Sequence, residues 1–172
     1  GMMNAIEIEE AISRLAEQPF DAAEFPYLFL EAFGNKPTTI KKLRAGASNS
    51  SDIGGVLQRS HIHIATCAPG EVTRTLAALK ASPATAKAKA RYILATDGEM
   101  FEAEDLESDD APVACAYADF PNHFGFFLSL AGITTVKQVR ESSFDIRATS
   151  RMNRLYVELL NDNPDWGSVT RR

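Results

Sequence analysis

Residues 51–67 read SDIGGVLQRSHIHIATC, and this stretch predicts a β-hairpin of two short strands. An apolar pair at positions 56 and 57 marks the first strand. The second strand alternates between two histidines and two isoleucines: His61, Ile62, His63 and Ile64. Because side chains alternate between the two faces of a strand, we expect the isoleucines on one face and the histidines on the other. One face of the hairpin is therefore predicted to enter the core.

The polar side of this hairpin carries candidate metal ligands. Asp52 stands at the mouth of the first strand, and a carboxylate there is a suitable ligand for Mg²⁺. His61 and His63, together with Asp52 across the hairpin or Cys67 further along the strand, are candidate ligands of Zn²⁺ or Mn²⁺. The alternative is that the histidines are ordinary surface or core residues and that Asp52 caps a turn.

Composition limits the class of protein. A chain of 172 residues, 45% of them apolar, suits one globular domain with a real core. No apolar run has the length of a membrane span and no signal-peptide pattern opens the chain, so we expect a cytoplasmic protein without a membrane partner. Cys67 and Cys115 are expected to be buried free thiols. With a net charge of −5, any contact with DNA would use a local basic patch or a larger partner.

The order of predicted elements favours a mixed α/β (α+β) fold with a small mixed sheet flanked by helices. Helices are predicted over residues 7–18, 21–34, 38–46 and 71–81, then strands over 92–96, 100–106 and 113–118, then helices over 122–131, 134–141 and 145–161. We divide the chain into an N-terminal helix, an α/β core, a C-terminal helical extension and a linker: residues 1–20, 21–120, 121–166 and 167–172.

Several segments together resemble a known family. They are FPYLFLEAFGNK, the hairpin above, RYILATDGEMFEAEDL, NHFGFFLSLAG and FDIRATSRMNRLYVELL, and they span residues 20–166. This ordered set is similar to the N-terminal region of MmeI-like proteins, which are large type IIL restriction–modification proteins and class I S-adenosylmethionine-dependent DNA methyltransferases. The resemblance implies a restriction-endonuclease-like PD-(D/E)xK nuclease core. In that family, a helical connector, an adenine-N6 methyltransferase domain and a target-recognition domain follow it.

The resemblance also implies a nuclease site that has lost part of its chemistry. Asp52 matches the metal-binding aspartate, and Glu31 matches a helix glutamate near the site. Ala65 and Cys67 occupy the places of the E-x-K pair, whose acid holds Mg²⁺ and whose lysine positions the attacking water. Because alanine cannot bind a metal and cysteine cannot replace the lysine, we interpret Asp52 and Glu31 as vestigial catalytic residues.

The methyltransferase motifs are missing from these 172 residues. There is no F-x-G-x-G loop for S-adenosylmethionine, and no N-P-P-[YF] loop for a flipped adenine. We therefore expect a fragment of a longer protein, cut near Gly167, whose downstream domains are its partners. S-adenosylmethionine would bind those domains. This fragment would need no cofactor, except Mg²⁺ if the nuclease site were active.

Basic side chains form two groups. The candidate DNA contacts are Lys80, Lys87, Lys89 and Arg91, around an alanine-rich helix, and Arg59, near the end of the first hairpin strand. Such contacts to phosphates would be salt-sensitive and blind to base sequence, although a solvated helical face is an equal alternative. A stripe of arginines at positions 147, 151 and 154 is expected to pair with the acidic loop 107–110 or to dock a downstream domain.

Three functions remain open at this point. The first is a degenerate nuclease-like module of an adenine methyltransferase, which holds DNA or braces the methylating domains. The second is metal-dependent DNA hydrolysis by Asp52, Glu31 and a relocated group such as Lys80 or His63. The third is an interaction or oligomerisation domain with no role in DNA binding, which the acidic charge favours slightly.

Overall fold

The computed structural model describes residues 3–135, 138–139, 151, 154–155 and 157–158. Its helices are α1 (Ala5–Glu17), α2 (Phe25–Ala32), α3 (Pro37–Arg44), α4 (Val72–Ala81) and α5 (Pro83–Lys87). Its strands are β1 (Val56–Gln58), β2 (Ile62–Thr66), β3 (Tyr92–Thr96), β4 (Met100–Asp105) and β5 (Val113–Ala116), followed by a 3₁₀-helical segment, Tyr117–Ala131. Most of the helix predicted over 145–161 lies outside the described residues.

The strands form one five-stranded sheet in the order β1-β2-β3-β4-β5. The β2–β3 pair is parallel, and the other three pairs are antiparallel. Helices α4 and α5 connect the two parallel strands, as a parallel pair requires a crossover. The predicted mixed α/β fold with a small mixed sheet is therefore confirmed. Its assignment to the PD-(D/E)xK class stays a prediction.

The sheet lies between two helical layers. Ile62 and Ile64 enter the main core with residues of α1, α2 and the 3₁₀ segment. The opposite face of β2 and β3 packs against α4, whose Leu79 is fully buried. The hairpin prediction is confirmed here, because the isoleucines occupy one face and His63 the other. His61 lies in the turn just before β2 begins.

Strand β1 is short and lies at the edge of the sheet, and the loop before it covers that edge. The Leu57 amide donates a 2.9 Å hydrogen bond to Asn49 Oδ1, and the Ser50 amide donates to the Leu57 carbonyl at 3.2 Å. Gly55 lies so close to the neighbouring strand that a Cβ on it would come within 2.4 Å of the Ile64 carbonyl oxygen. This close approach brings the loop 49–54 down onto the sheet.

The described part of the C-terminal region packs onto the core. Leu155 is buried in the main cluster, and an added Cβ at Gly125 would lie 2.2 Å from Leu155 Cδ1. Arg151 donates hydrogen bonds to Glu9 of α1 at 3.0 Å and to Asn122 at 2.8 Å. The expected pairing of this arginine with the acidic loop is therefore wrong. The predicted boundary after residue 120 falls inside the 3₁₀ segment.

The observed helix starts differ from the predicted ones by one to five residues, and two of the differences have a clear local cause or form. Helix α3 begins at Pro37 with Lys36 as its N-cap, one residue before the predicted start. Proline is well tolerated at the first helical position, which explains the earlier start. The segment predicted to start at Asn122 begins at Tyr117 instead, as a 3₁₀ helix with a kink at His123. None of the helices in the described part of the chain is both long and apolar enough to span a bilayer.

Candidate functional site

Asp52 is bound to the start of helix α5. The Ser82 hydroxyl, at the N-cap of α5, donates a 2.7 Å hydrogen bond to Asp52 Oδ1. The same hydroxyl oxygen accepts a weak bond from the Thr85 amide at 3.4 Å. The hydrogen bond from Ser82 holds the pKa of the Asp52 carboxyl below its ordinary value. Asp52 thus braces a helix cap from an exposed position in the loop before β1.

His63 lies at the centre of a buried hydrogen-bond chain. The Thr85 hydroxyl donates its one proton to the Leu79 carbonyl at 2.7 Å, so it must accept from His63 Nδ1, which lies 2.8 Å away. His63 Nδ1 therefore carries the ring proton. The unprotonated Nε2 accepts from Ser51 Oγ at 2.7 Å, and Ser51 Oγ in turn accepts from the Gly55 amide at 3.0 Å. This chain ties β2, α4, α5 and the loop before β1 together.

The predicted metal ligands are not assembled into a metal site. Both ring nitrogens of His63 are engaged, and burial lowers its pKa to about 4. His61 lies outside the strand, where its Nδ1 donates to the Arg59 carbonyl at 2.8 Å. Within the ranges that the structure describes, no group of three or more His, Cys, Asp or Glu residues is placed to hold a metal ion. Asp52 has a serine hydroxyl as its side-chain hydrogen-bond partner, and the described residues place no carboxylate cluster around it for Mg²⁺.

The two positions that would carry the E-x-K pair lie beneath helix α4. Ala65 is only 5% exposed and packs in an apolar cluster with Leu79 and Ile93. Cys67 packs against the same cluster, and its Sγ lies 3.6 Å from the Thr96 carbonyl oxygen. Burial raises the pKa of the Cys67 thiol above its ordinary value. A carboxylate at position 65 would have to be buried among apolar side chains, whereas position 67 is half-buried.

Glu31 does not join Asp52 in the structure. Its side chain is exposed on α2, where its charge acts on Arg44 of α3. Asp52 instead makes its contacts with Ser82 on the other side of the sheet. The two residues predicted to be vestigial catalytic residues therefore do not lie together in one site.

The five predicted DNA contacts separate into two groups. Lys80 pairs with Glu104 at 2.8 Å, and Arg91 pairs with Asp105 at 3.1 Å. The other three, Arg59, Lys87 and Lys89, are exposed and have no carboxylate partner among the described residues. The charges of Arg59, Lys87 and Lys89 are therefore exposed to solvent.

Sequence reasoning missed the residues that fix this site: Ser51, Ser82 and Thr85. Ser-Pro is a typical helix start and Ser82 does cap α5, but its hydrogen bond to Asp52 joins positions 30 residues apart and has no local sequence signal. Thr85 and Ser51 carry no local signal for a bond to His63, because these contacts depend on how α5 and the loop fold onto β2.

The chain matches the family described as MmeI, N-terminal domain, over residues 3–162. It is also 27% identical over 162 residues to DNA methyltransferase A of Bacillus subtilis (strain 168). That alignment covers 94% of this chain and 18% of the length of the methyltransferase. No solved structure matches the chain. The family match covers nearly the whole chain, so the chain belongs to the MmeI N-terminal domain family.

Proposed function

We propose that this domain is a non-cleaving, nuclease-like module at the N-terminal end of a DNA adenine-N6 methyltransferase of the restriction–modification type. Its role is to position DNA or to brace the methylating domains. The family match and the similarity to a bacterial DNA methyltransferase support this proposal. The methyltransferase and target-recognition domains would be its partners in the cytoplasm, and S-adenosylmethionine would bind to the first of them.

The environment of Ala65 is the observation that carries the proposal. A PD-(D/E)xK nuclease needs an acidic metal ligand at this strand position. Here an alanine packs under α4 against Leu79, Ile93 and Ala95. Burying an ionised carboxylate in such a place without a partner costs several kcal/mol or more. Residue 65 therefore contributes to the apolar packing between the sheet and α4.

The contacts of Asp52 support the same conclusion. One oxygen of Asp52 accepts a hydrogen bond from the Ser82 hydroxyl, so this carboxylate serves to brace the start of α5. The alternative of a relocated nuclease is also disfavoured, because Lys80 is paired with Glu104 and both nitrogens of His63 are hydrogen-bonded. Mg²⁺ would be needed only if cleavage survived.

The test is a plasmid assay. The purified chain is incubated with supercoiled plasmid in Mg²⁺ and, separately, in Mn²⁺, with Asp52→Asn as the matched control. We expect neither nicked nor linear product above the background of the control. Metal-dependent nicking by the wild-type chain that disappears in Asp52→Asn would overturn the proposal, because it would give this carboxylate a catalytic role.

A further inference from the structure

We propose that Lys36, Arg59, Lys87 and Lys89 form one continuous surface, the cationic edge, which binds the sugar–phosphate backbone of duplex DNA. This inference rests on the proposed function in one respect, namely that DNA lies beside the domain. It adds the location of the contact, and it removes Lys80 and Arg91 from the set of candidate residues.

A backbone hydrogen bond brings Arg59, Lys87 and Lys89 together. The Ser60 amide, in the turn between β1 and β2, donates a 2.8 Å hydrogen bond to the Ala88 carbonyl, at the end of α5. Arg59 precedes Ser60, while Lys87 and Lys89 flank Ala88. The three side chains therefore extend from two adjoining turns. Both turns lie where the parallel strands β2 and β3 begin.

A side-chain hydrogen bond brings Lys36 next to Arg59. Gln58 Nε2, at the end of β1, donates to Asn35 Oδ1 at 2.8 Å, across 23 positions of sequence. Lys36 follows Asn35, and Arg59 follows Gln58, so the two cations are brought to neighbouring places at this edge. Helix α3 also begins here without a side-chain cap, so the positive end of its dipole adds to the charge.

The charge of these side chains is available to a ligand. All four are exposed, and among the described residues none of them has a carboxylate partner. Lys80 and Arg91 differ, because a phosphate would have to displace Glu104 from the first, and Asp105 and Glu107 from the second. Free cations release counterions from DNA without such competition, so they are the more effective phosphate contacts.

An acidic segment limits the surface on one side. The Leu106 amide donates a 2.7 Å hydrogen bond to the Arg91 carbonyl, which places the loop after β4 beside the start of β3. This loop carries exposed carboxylates: Glu107, Asp109 and Asp110. Because these would repel phosphates, DNA is expected to lie toward the β1–β2 turn and α3. The partner is thus a polyanion with a short footprint, and base edges have no role in the contact.

The test is the salt dependence of duplex binding. Affinity of the full chain for a fluorescent duplex is measured by anisotropy over a range of NaCl concentrations. Four phosphate contacts predict a slope of log Kobs against log salt of about −3.6. The variant R59Q/K87Q/K89Q should reduce the slope to about −0.9, and Lys36→Gln alone should reduce it to about −2.7. The control R14Q/K42Q/R74Q changes the net charge equally at exposed positions elsewhere.

Each outcome is decisive. Loss of slope in the test variants, with the control close to wild type, supports the cationic edge. An equal loss in test and control variants would overturn it, because binding would then follow net charge alone. Absence of wild-type binding at low salt would also overturn it, but would leave the bracing role intact. Plasmid cleavage would overturn the proposed function without affecting the slopes. Matching thermal melts check that all variants fold.

Discussion

Ser82 donates its hydroxyl proton to Asp52 across 30 residues of sequence, at a distance of 2.7 Å. The pair joins the loop before β1 to the first turn of α5. Next to it, Ser51 and Thr85 hold the two nitrogens of His63. At the place where the sequence predicts a metal ligand, this domain therefore has a network of hydrogen bonds.

The first prediction concerns the Asp52–Ser82 pair. Asp52→Ala should lower the melting temperature at pH 7 more than Asp52→Asn, because the asparagine amide oxygen can still accept a hydrogen bond from the Ser82 hydroxyl. The pKa of Asp52 is lowered in the folded state, so its contribution is present at neutral pH and fades as the pH falls through that lowered pKa. Thermal unfolding of the wild-type chain and the two variants at pH 7 and pH 3 measures this pH dependence.

A double-mutant cycle with Ser82→Ala provides the control for this pair. If the two residues act through their hydrogen bond, Asp52→Ala should cost much less in the Ser82→Ala background. Fully additive effects of the two substitutions would contradict the pairing.

The second prediction concerns stability and pH. The unfolded chain protonates its imidazole below the ordinary pKa of 6.5, whereas buried His63 stays neutral to about 4. Protons therefore favour the unfolded state, and stability from His63 is full above 6.5 and is lost as the pH falls toward 4. The loss should be about 3 kcal/mol, measured by urea unfolding at pH 7 and pH 4.

The matched control for this titration is His63→Gln, which keeps hydrogen-bonding groups but does not titrate. Its free energy of unfolding should fall less steeply between pH 7 and pH 4. Identical pH profiles for the two proteins would show that His63 titrates normally when folded.

Much of the fold is predictable from sequence, because it depends on local patterns. The alternation at Ile62 and Ile64 predicts β2 and its core face, and β3 is predicted at its observed bounds, Tyr92–Thr96. The Asp97-Gly98 turn signal predicts the β3–β4 hairpin, with Gly98 at a φ of +88°. These features need only a few neighbouring residues.

The candidate site is less predictable, because long-range contacts define it. From the sequence, Asp52 is a candidate metal ligand, whereas in the structure the start of α5 places the Ser82 hydroxyl in hydrogen-bond contact with it. Lys80 and Lys87 look equivalent in sequence, but the register of β4 brings Glu104 to Lys80, and Lys87 has no carboxylate partner in the described part of the chain. Lys36 was not among the predicted DNA contacts, because the Gln58–Asn35 hydrogen bond that brings it near Arg59 spans 23 positions of sequence.

The third prediction concerns the proton on His63. Since the Thr85 hydroxyl is committed to the Leu79 carbonyl, the neutral ring should be the Nδ1–H tautomer. Nitrogen-15 NMR at pH 7 should find Nδ1 protonated and Nε2 unprotonated. The Nε2–H tautomer would contradict the hydrogen-bond chain, since the Ser51 proton would then have no acceptor on the ring.

The fourth prediction concerns positions 65 and 67, where the family resemblance implies an E-x-K pair. The variant A65E/C67K recreates an E-x-K pair, but residue 65 lies under α4 among apolar side chains. We expect the variant to be destabilised by about 3 kcal/mol or more and to remain unable to nick plasmid in Mg²⁺. Ala65→Ser with Cys67 unchanged serves as a mild control. A stable variant that cleaves DNA would mean that the position opens to solvent and metal.

The most direct test of the proposal that Asp52 is a structural residue is a calorimetric titration of the wild-type chain and Asp52→Asn with Mn²⁺, which commonly substitutes for Mg²⁺ at carboxylate sites. A carboxylate that serves as a structural brace predicts no stoichiometric binding that depends on Asp52, so the two titrations should coincide. Binding of one Mn²⁺ per chain that is lost in Asp52→Asn would contradict this result and would make Asp52 a metal ligand.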